Sequence, residues 1–119
     1  VAGLPIGLFG ASTGAAAALV AAAEAPELIR AVVSRGGRPN LARDALSRVK
    51  APTLLIVGGD DFEALTLNRV AFAELRCIKA LRIVPGATHP FDEPGALDQV
   101  MKLARDWLAA HAAEQEVKP

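Results

Sequence analysis

The segment that most constrains the fold of this chain is Gly10-Ala11-Ser12-Thr13-Gly14, a Gly-x-Ser-x-Gly pentapeptide between an apolar run and an alanine-rich run. The apolar residues 5–9 predict a strand, and the alanines that follow predict a helix over residues 13–24. A strand that passes into a helix within so few residues needs a sharp turn at Ser12. We expect both glycines of the pentapeptide to be required, because a side chain at either position would collide with the neighbouring strand or helix.

The rest of the chain continues the alternation of strands and helices. Further apolar runs predict strands at residues 31–34, from residue 53 onward and at residues 81–84. Apolar residues at helical spacing predict a short helix near residues 41–48, a helix near residues 64–75, and a last helix marked by Leu97, Val100, Met101, Ala104, Trp107 and Leu108. Because crossovers between such strands are right-handed, the pattern predicts an α/β fold with a parallel sheet of about four strands and flanking helices.

Polar residues follow three of these predicted strands at the point where each strand ends. They are Ser12, then Asp60 or Asp61, and finally His89. In an open parallel sheet the carboxyl ends of the strands lie at one edge, where function gathers. The sequence therefore predicts that a serine, a carboxylate and a histidine meet at one site.

These three residue types are the parts of a nucleophilic triad. A histidine with an ordinary pKa near 6.5 can take the proton of a serine hydroxyl that attacks a carbonyl, and then return it to the leaving group. The aspartate fixes the imidazole tautomer and stabilises the imidazolium. The backbone N–H of Thr13, at the positive end of the predicted helix, is one candidate donor to the oxyanion.

With these motifs the chain resembles the α/β-hydrolase superfamily, and within it the dienelactone-hydrolase-like branch. The resemblance rests on the pentapeptide, on Leu55-Ile56-Val57-Gly58-Gly59-Asp60-Asp61 and on Pro85-Gly86-Ala87-Thr88-His89. In that family the acid commonly stands three residues after the glycine that closes its strand, which favours Asp61 over Asp60. Dienelactone hydrolases proper carry a cysteine nucleophile where this chain has Ser12. The resemblance thus implies a serine esterase or related hydrolase that acts on a small ester, lactone or thioester through an acyl-enzyme.

The resemblance covers residues 1–119 as a partial domain, the second half of a three-layer αβα fold. The first four strands of the family and the loop that donates the second oxyanion N–H have no counterpart. The chain is then expected to be either a fragment or a half-domain that completes its sheet in another way. A non-catalytic module is the alternative function. Because the first strand would be an exposed edge, we expect a homodimer, or pairing with another chain or with the missing N-terminal half, through residues 4–9.

Two further predictions concern charged residues near the predicted site. Arg35 and Arg38 follow the second strand, and Arg35 is a candidate to hold the carboxylate of an anionic substrate. A solvated loop arginine is the alternative. Asp92 and Glu93 are expected to cap and charge the start of the last helix.

Composition excludes several classes of function. The 119 residues include 13 basic and 13 acidic side chains, so the formal net charge of zero gives no reason to expect binding to nucleic acid or to an anionic membrane surface. The longest apolar stretch, residues 14–23, is too short to span a bilayer. No cluster has the spacing of metal ligands, and we expect no metal and no cofactor. The single cysteine fits a cytoplasmic location.

Overall fold

The computed structural model describes residues 6–112, except for the side chains of residues 40, 41 and 112. Four strands alternate with helices in this range. In chain order they are β1 (Ile6–Ala11), α1 (Thr13–Glu24), β2 (Ile29–Arg35), a 3-10 turn (Pro39–Ala42), α2 (Arg43–Leu46), β3 (Thr53–Gly58), α3 (Phe62–Glu74), β4 (Lys79–Val84) and α4 (Ala96–Ala112). The predicted α/β class is confirmed.

The four strands form one parallel sheet in the order β1-β2-β3-β4. Every residue of β3 is buried. A parallel strand that helices cover on both faces has apolar residues without alternation, and this explains the continuous run Leu54, Leu55, Ile56 and Val57. Each crossover places the carboxyl ends of all four strands at the same edge of the sheet.

Two apolar cores lie on opposite faces of the sheet. Leu19 of α1 packs with Val32 and Leu55 on one face, together with α2 and α3. On the other face, Val33 and Ile56 pack against α4. The alanines of α1 leave little bulk between that helix and the strands, so the helix can lie close to the sheet. The result is the predicted arrangement of three layers.

The boundaries of some elements differ from the predicted ones. Helix α3 begins at Phe62 because the Asp61 side chain caps its first turn, whereas the sequence pattern placed the start near residue 64. The short helix predicted near residues 41–48 is divided into the 3-10 turn and α2. Strands β2 and β4 each begin two residues before the predicted bounds.

Strand β1 forms one edge of the sheet, as predicted. Ile6 and Phe9 on this strand are 37% and 45% exposed. Leu4 and Pro5, which the predicted strand and contact segment included, lie outside the described residues. None of the helices in residues 6–112 is both long enough and apolar enough to cross a membrane.

Candidate active site

The turn between β1 and α1 holds Ser12 in a strained conformation. Its φ is 53° and its ψ is −125°, a combination that costs a non-glycine residue on the order of 1–3 kcal/mol. The Ser12 N–H donates to the Arg35 carbonyl at 3.2 Å, and its carbonyl accepts from the Arg38 N–H at 3.3 Å. The loop that follows β2 therefore holds the backbone of the nucleophile candidate on both sides.

The two glycines of the pentapeptide have different roles. A Cβ at Gly10 would lie 2.6 Å from the Gly14 carbonyl oxygen and 2.7 Å from the Ala15 Cα, so this position admits no side chain without a shift of α1. The clash predicted at Gly14 is wrong for the described residues, since nothing among them lies within 4 Å of a Cβ added there. Gly14 lies on the exposed side of the first turn of α1, which explains the difference.

His89 lies in the loop after β4 and reaches back across the edge of the sheet to Ser12. Its Nε2 is 2.9 Å from the Ser12 Oγ, which is hydrogen-bonding distance. The imidazole is half exposed, so it can exchange protons with water. The structure thus brings together two residues that are 77 positions apart in sequence.

Asp61 is the carboxylate on the other side of the imidazole. Its Oδ2 is 3.6 Å from His89 Nδ1, and its Oδ1 accepts from the Ala64 N–H at 3.3 Å as the cap of α3. The separation from the ring is longer than a direct hydrogen bond, and such contacts commonly tighten when substrate binds. Asp60, the alternative acid, is exposed, and its N–H donates to the Ala87 carbonyl. Within residues 6–112, Asp61 is the carboxylate found within 4 Å of this ring.

The loop that carries His89 is held by Glu93. The Glu93 carboxylate accepts the Thr88 hydroxyl at 2.7 Å and the Thr88 N–H at 3.2 Å. The hydrogen bond from the Thr88 hydroxyl holds the pKa of Glu93 below its ordinary value. The sequence had assigned this side chain to the start of the last helix, but only the Glu93 backbone carbonyl serves there, as acceptor for the Ala96 N–H.

A cavity of about 400 Å³ opens over the hydroxyl of the serine. Its lining combines the candidate triad with the loop after β2 and the first two turns of α3: Ser12, Thr13, Gly36, Gly37, Arg38, Asp61, Glu63, Ala64, Leu67 and His89. Thr13 is the first residue of α1, so the candidate oxyanion donor lies at the positive end of that helix.

Arg35, the predicted substrate anchor, is not among the residues that line this cavity. Its guanidinium lies over the Phe91 ring, 5.5 Å from the ring centre. The arginine on the cavity wall is Arg38, which lies 3.9 Å from Glu63 in a solvent-exposed pair. The structure therefore separates the two arginines that the sequence placed together, and it gives no support to a substrate contact by Arg35.

Sequence reasoning missed Asn68, a completely buried residue of α3. The helical spacing that predicts this helix is that of Leu67, Val70, Ala71 and Leu75, yet Val70 is 50% exposed. Asn68 stands four residues after Ala64 and three before Ala71, which is the spacing of one helix face. That spacing indicates that Asn68 shares the buried face of the helix, but apolar periodicity does not reveal it because asparagine is polar.

The residues of 6–112 include no group of three or more histidine, cysteine or acidic side chains placed to hold a metal ion.

Comparison with known proteins gives one group of curated relatives. Two proteins of Mycobacterium tuberculosis, from strains CDC 1551 and H37Rv, are provisionally named phosphoribosyl transferases and are each 62% identical to this chain over 110 residues. The match covers 92% of this chain but 25% of either relative. No protein-family model matches the chain.

Solved structures give a second set of similar proteins. A dienelactone hydrolase from Anabaena variabilis is 57% identical, with a TM-score of 0.88, over 89% of this chain and 49% of its own. The esterase domain of a Rhodothermus marinus protein has a TM-score of 0.79 at 19% identity, over 90% of this chain and 62% of that domain. A monoacylglycerol lipase from Paleococcus ferrophilus has a TM-score of 0.74 at 17% identity, over 90% of this chain and 69% of its own. These last two show a shared fold. The chain thus spans about half the length of the hydrolase and a quarter of the curated relatives.

Proposed function

Because this chain belongs to the dienelactone-hydrolase-like branch of the α/β-hydrolase superfamily, we propose that it is the nucleophile-bearing part of a serine hydrolase. The substrate would be a small ester, lactone or thioester, cleaved through an acyl-enzyme. The observation that carries this proposal is the 2.9 Å contact between Ser12 Oγ and His89 Nε2 at a strained turn. The Ser12 side chain makes no capping hydrogen bond to α1 and instead contacts an imidazole 77 positions further along the chain.

In the proposed mechanism, the Ser12 Oγ attacks the substrate carbonyl carbon as His89 Nε2 takes its proton. The carbonyl oxygen gains the negative charge, and the Thr13 N–H donates to it. When the intermediate collapses, the bond to the leaving group breaks and the imidazolium returns the proton to that group. Water then repeats the sequence on the acyl-enzyme, which releases the acid and restores Ser12. Asp61 stabilises the imidazolium throughout.

The second oxyanion donor of this mechanism belongs, in our proposal, to the remaining half of the hydrolase domain. One such donor contributes on the order of 3–4 kcal/mol to transition-state stabilisation. The 119-residue chain alone would then be a weak catalyst, although its nucleophile is already paired with a base. A non-catalytic module that associates through β1 is the second candidate function, and the exposure of Ile6 and Phe9 favours it.

We do not propose a transferase activity for this chain, although its curated relatives carry a transferase name. The chain spans 25% of those proteins, so their name can refer to a part that this chain does not contain. A serine, a histidine and an aspartate around a strained turn support hydrolysis by nucleophilic attack instead.

A fluorophosphonate probe tests the proposal directly, because it phosphonylates an activated serine with loss of fluoride. We expect labelling of the folded chain that disappears in Ser12→Ala. Ser47→Ala is the matched control, since Ser47 is an exposed serine that directly follows α2, and it should leave labelling unchanged. Absence of labelling, both for the chain alone and for the whole protein that contains it, would reject the hydrolase in favour of the non-catalytic module.

A further inference from the structure

A buried amide on α3 lies against the wall of the cavity. Asn68 has no exposed surface, and its Nδ2 donates to the Gly37 carbonyl at 3.3 Å and to the Ala64 carbonyl at 2.8 Å. Both partners are acceptors, so only the NH₂ end of the amide can face them. The opposite end, Oδ1, is buried without a hydrogen-bond partner among the described residues. Because an unpaired buried acceptor destabilises a protein, packing alone does not explain why an asparagine occupies this position.

Gly37, which accepts from the Asn68 amide, belongs to a segment that contacts the backbone of Ser12. Segment 35–38 connects β2 to the 3-10 turn, and it supplies both partners of the Ser12 backbone, the Arg35 carbonyl and the Arg38 N–H. A Cβ at Gly37 would overlap the Ala15 side chain and lie 2.6 Å from the Ser34 Oγ. Segment 35–38 is therefore packed directly against the turn that holds the nucleophile, so a displacement of one displaces the other.

The helix that carries Asn68 also begins at the candidate acid. Asp61 caps α3, and Asn68 lies seven residues later, which is two helical turns along the same face. One end of α3 thus faces His89 through Asp61, while its middle holds segment 35–38 through Asn68.

We propose that Asn68 is a positioning residue that keeps Ser12 aligned with the imidazole and with Asp61 by fixing segment 35–38 to α3. The proposal rests on the function proposed above. In this arrangement the NH₂ end of the Asn68 amide holds segment 35–38, whereas Oδ1, which has no partner among the described residues, lowers the stability of the fold. An apolar residue of similar size would fill the same space but could not donate to the Gly37 carbonyl, so it would hold the site less well.

The test replaces Asn68 by leucine and measures reactivity, local mobility and stability separately. In Asn68→Leu we expect the labelling rate of Ser12 by the fluorophosphonate to fall about 10- to 100-fold, the scale of a small misplacement in an active site. The loss should appear in the rate of the covalent step and not in the affinity for the probe. Exchange of the Arg38 amide proton should accelerate. The denaturation midpoint should change little, because the variant removes the unpaired Asn68 Oδ1 but leaves the Gly37 carbonyl without its donor.

Thr66→Val is the matched control. The Thr66 hydroxyl donates to the Phe62 carbonyl at 3.1 Å, so this change removes a bond of the same i, i−4 kind from the exposed side of the same helix. It should leave the labelling rate and the exchange of Arg38 unchanged. Asn68→Ala serves as a second variant if the leucine does not fit.

The outcomes separate this proposal from the proposed function. Unchanged exchange of the Arg38 amide in a folded Asn68 variant overturns the positioning role, whatever the labelling. Faster exchange with an unchanged labelling rate overturns it as well, since Ser12 would then be aligned without Asn68. If the wild type is labelled neither as the isolated chain nor within the whole protein, and exchange is faster in the variant, the hold on segment 35–38 is supported and the hydrolase is rejected.

Discussion

Each residue of the candidate triad is held by contacts that the neighbouring elements provide. Ser12 stays in its strained conformation because segment 35–38 accepts from its N–H and donates to its carbonyl. His89 follows Thr88, which the Glu93 carboxylate holds by two hydrogen bonds. Asp61 has two tasks, since one oxygen caps α3 and the other faces the imidazole. The same carboxylate therefore serves the proposed chemistry and stabilises the start of α3.

These two tasks of Asp61 can be separated by a change to asparagine. Asparagine caps helices about as well as aspartate, so Asp61→Asn should change the free energy of unfolding by less than about 1 kcal/mol. Ester hydrolysis should fall by about 10⁴-fold, because a neutral amide favours the wrong imidazole tautomer and leaves the imidazolium without a counter-charge. Urea denaturation and steady-state kinetics of the whole protein measure the two effects.

Asp60→Asn is the matched control for this prediction, because the exposed Asp60 contributes its backbone and not its carboxylate to the described contacts. We expect hydrolysis within a few-fold of the wild type. A large loss in Asp60→Asn together with an active Asp61→Asn would reverse the assignment of the acid.

At the scale of elements, the turn from β1 into α1 depends on how closely the strand and the helix approach each other. The alanines of α1 permit that approach, and Gly10 is the position where the first turn of the helix crosses the strand. Gly14 is in that first turn as well, but on the exposed surface of the helix. The motif therefore contains one glycine that the described structure requires and one that it does not.

The two glycines should respond oppositely to alanine. Gly10→Ala forces its Cβ against the Gly14 carbonyl and the Ala15 Cα, and we expect a loss of stability of about 1–3 kcal/mol. Gly14→Ala should be neutral or stabilise α1 by up to about 1 kcal/mol, since alanine is the better helix former and has open space there. Urea denaturation of both variants gives the comparison. An equal loss in both would mean that residues beyond 6–112 crowd Gly14.

At the scale of the whole molecule, the sheet has two edge strands, β1 and β4, and each carries an exposed apolar residue. On β1 the exposed residue is Phe9, at 45%, and on β4 it is Ile83, at 42%. Within residues 6–112, neither the side of β1 away from β2 nor the side of β4 away from β3 has a strand paired to it; the strands that the resemblance expects before this chain would lie beside β1. An apolar edge with unpaired N–H and carbonyl groups is a surface on which another strand can add.

The expected consequence is association of the isolated chain through β1. Light scattering should show a mass that rises with concentration, and Phe9→Lys should shift the chain towards monomer because a charge on an edge strand opposes pairing. Ile83→Lys on the opposite edge is the matched control and should leave association unchanged. A clean wild-type monomer at high concentration would contradict the prediction. Dissociation of the dimer by a separately added segment carrying the further strands of the proposed hydrolase domain would support that segment as the partner of this edge.

The sequence by itself indicated the α/β class, a parallel sheet of about four strands and the positions of Ser12, of Asp60 or Asp61, and of His89 just after the predicted strands. These features follow from local patterns, because apolar runs set the strands, helical spacing sets the helices, and handedness fixes the direction of each crossover. The family resemblance then distinguished Asp61 from Asp60. In the structure, Asp61 Oδ2 lies 3.6 Å from His89 Nδ1.

Only the tertiary structure decided how the surroundings of these residues are arranged. Arg35 and Arg38 are three residues apart, yet one stacks on Phe91 and the other lines the cavity. Asn68 is polar in sequence and fully buried in the fold, and Gly14 has open space where the motif suggested a clash. Each of these outcomes depends on contacts between elements that are distant along the chain. Patterns of neighbouring residues specify which face of an element turns inward, but they do not specify which side chain from another element it meets there.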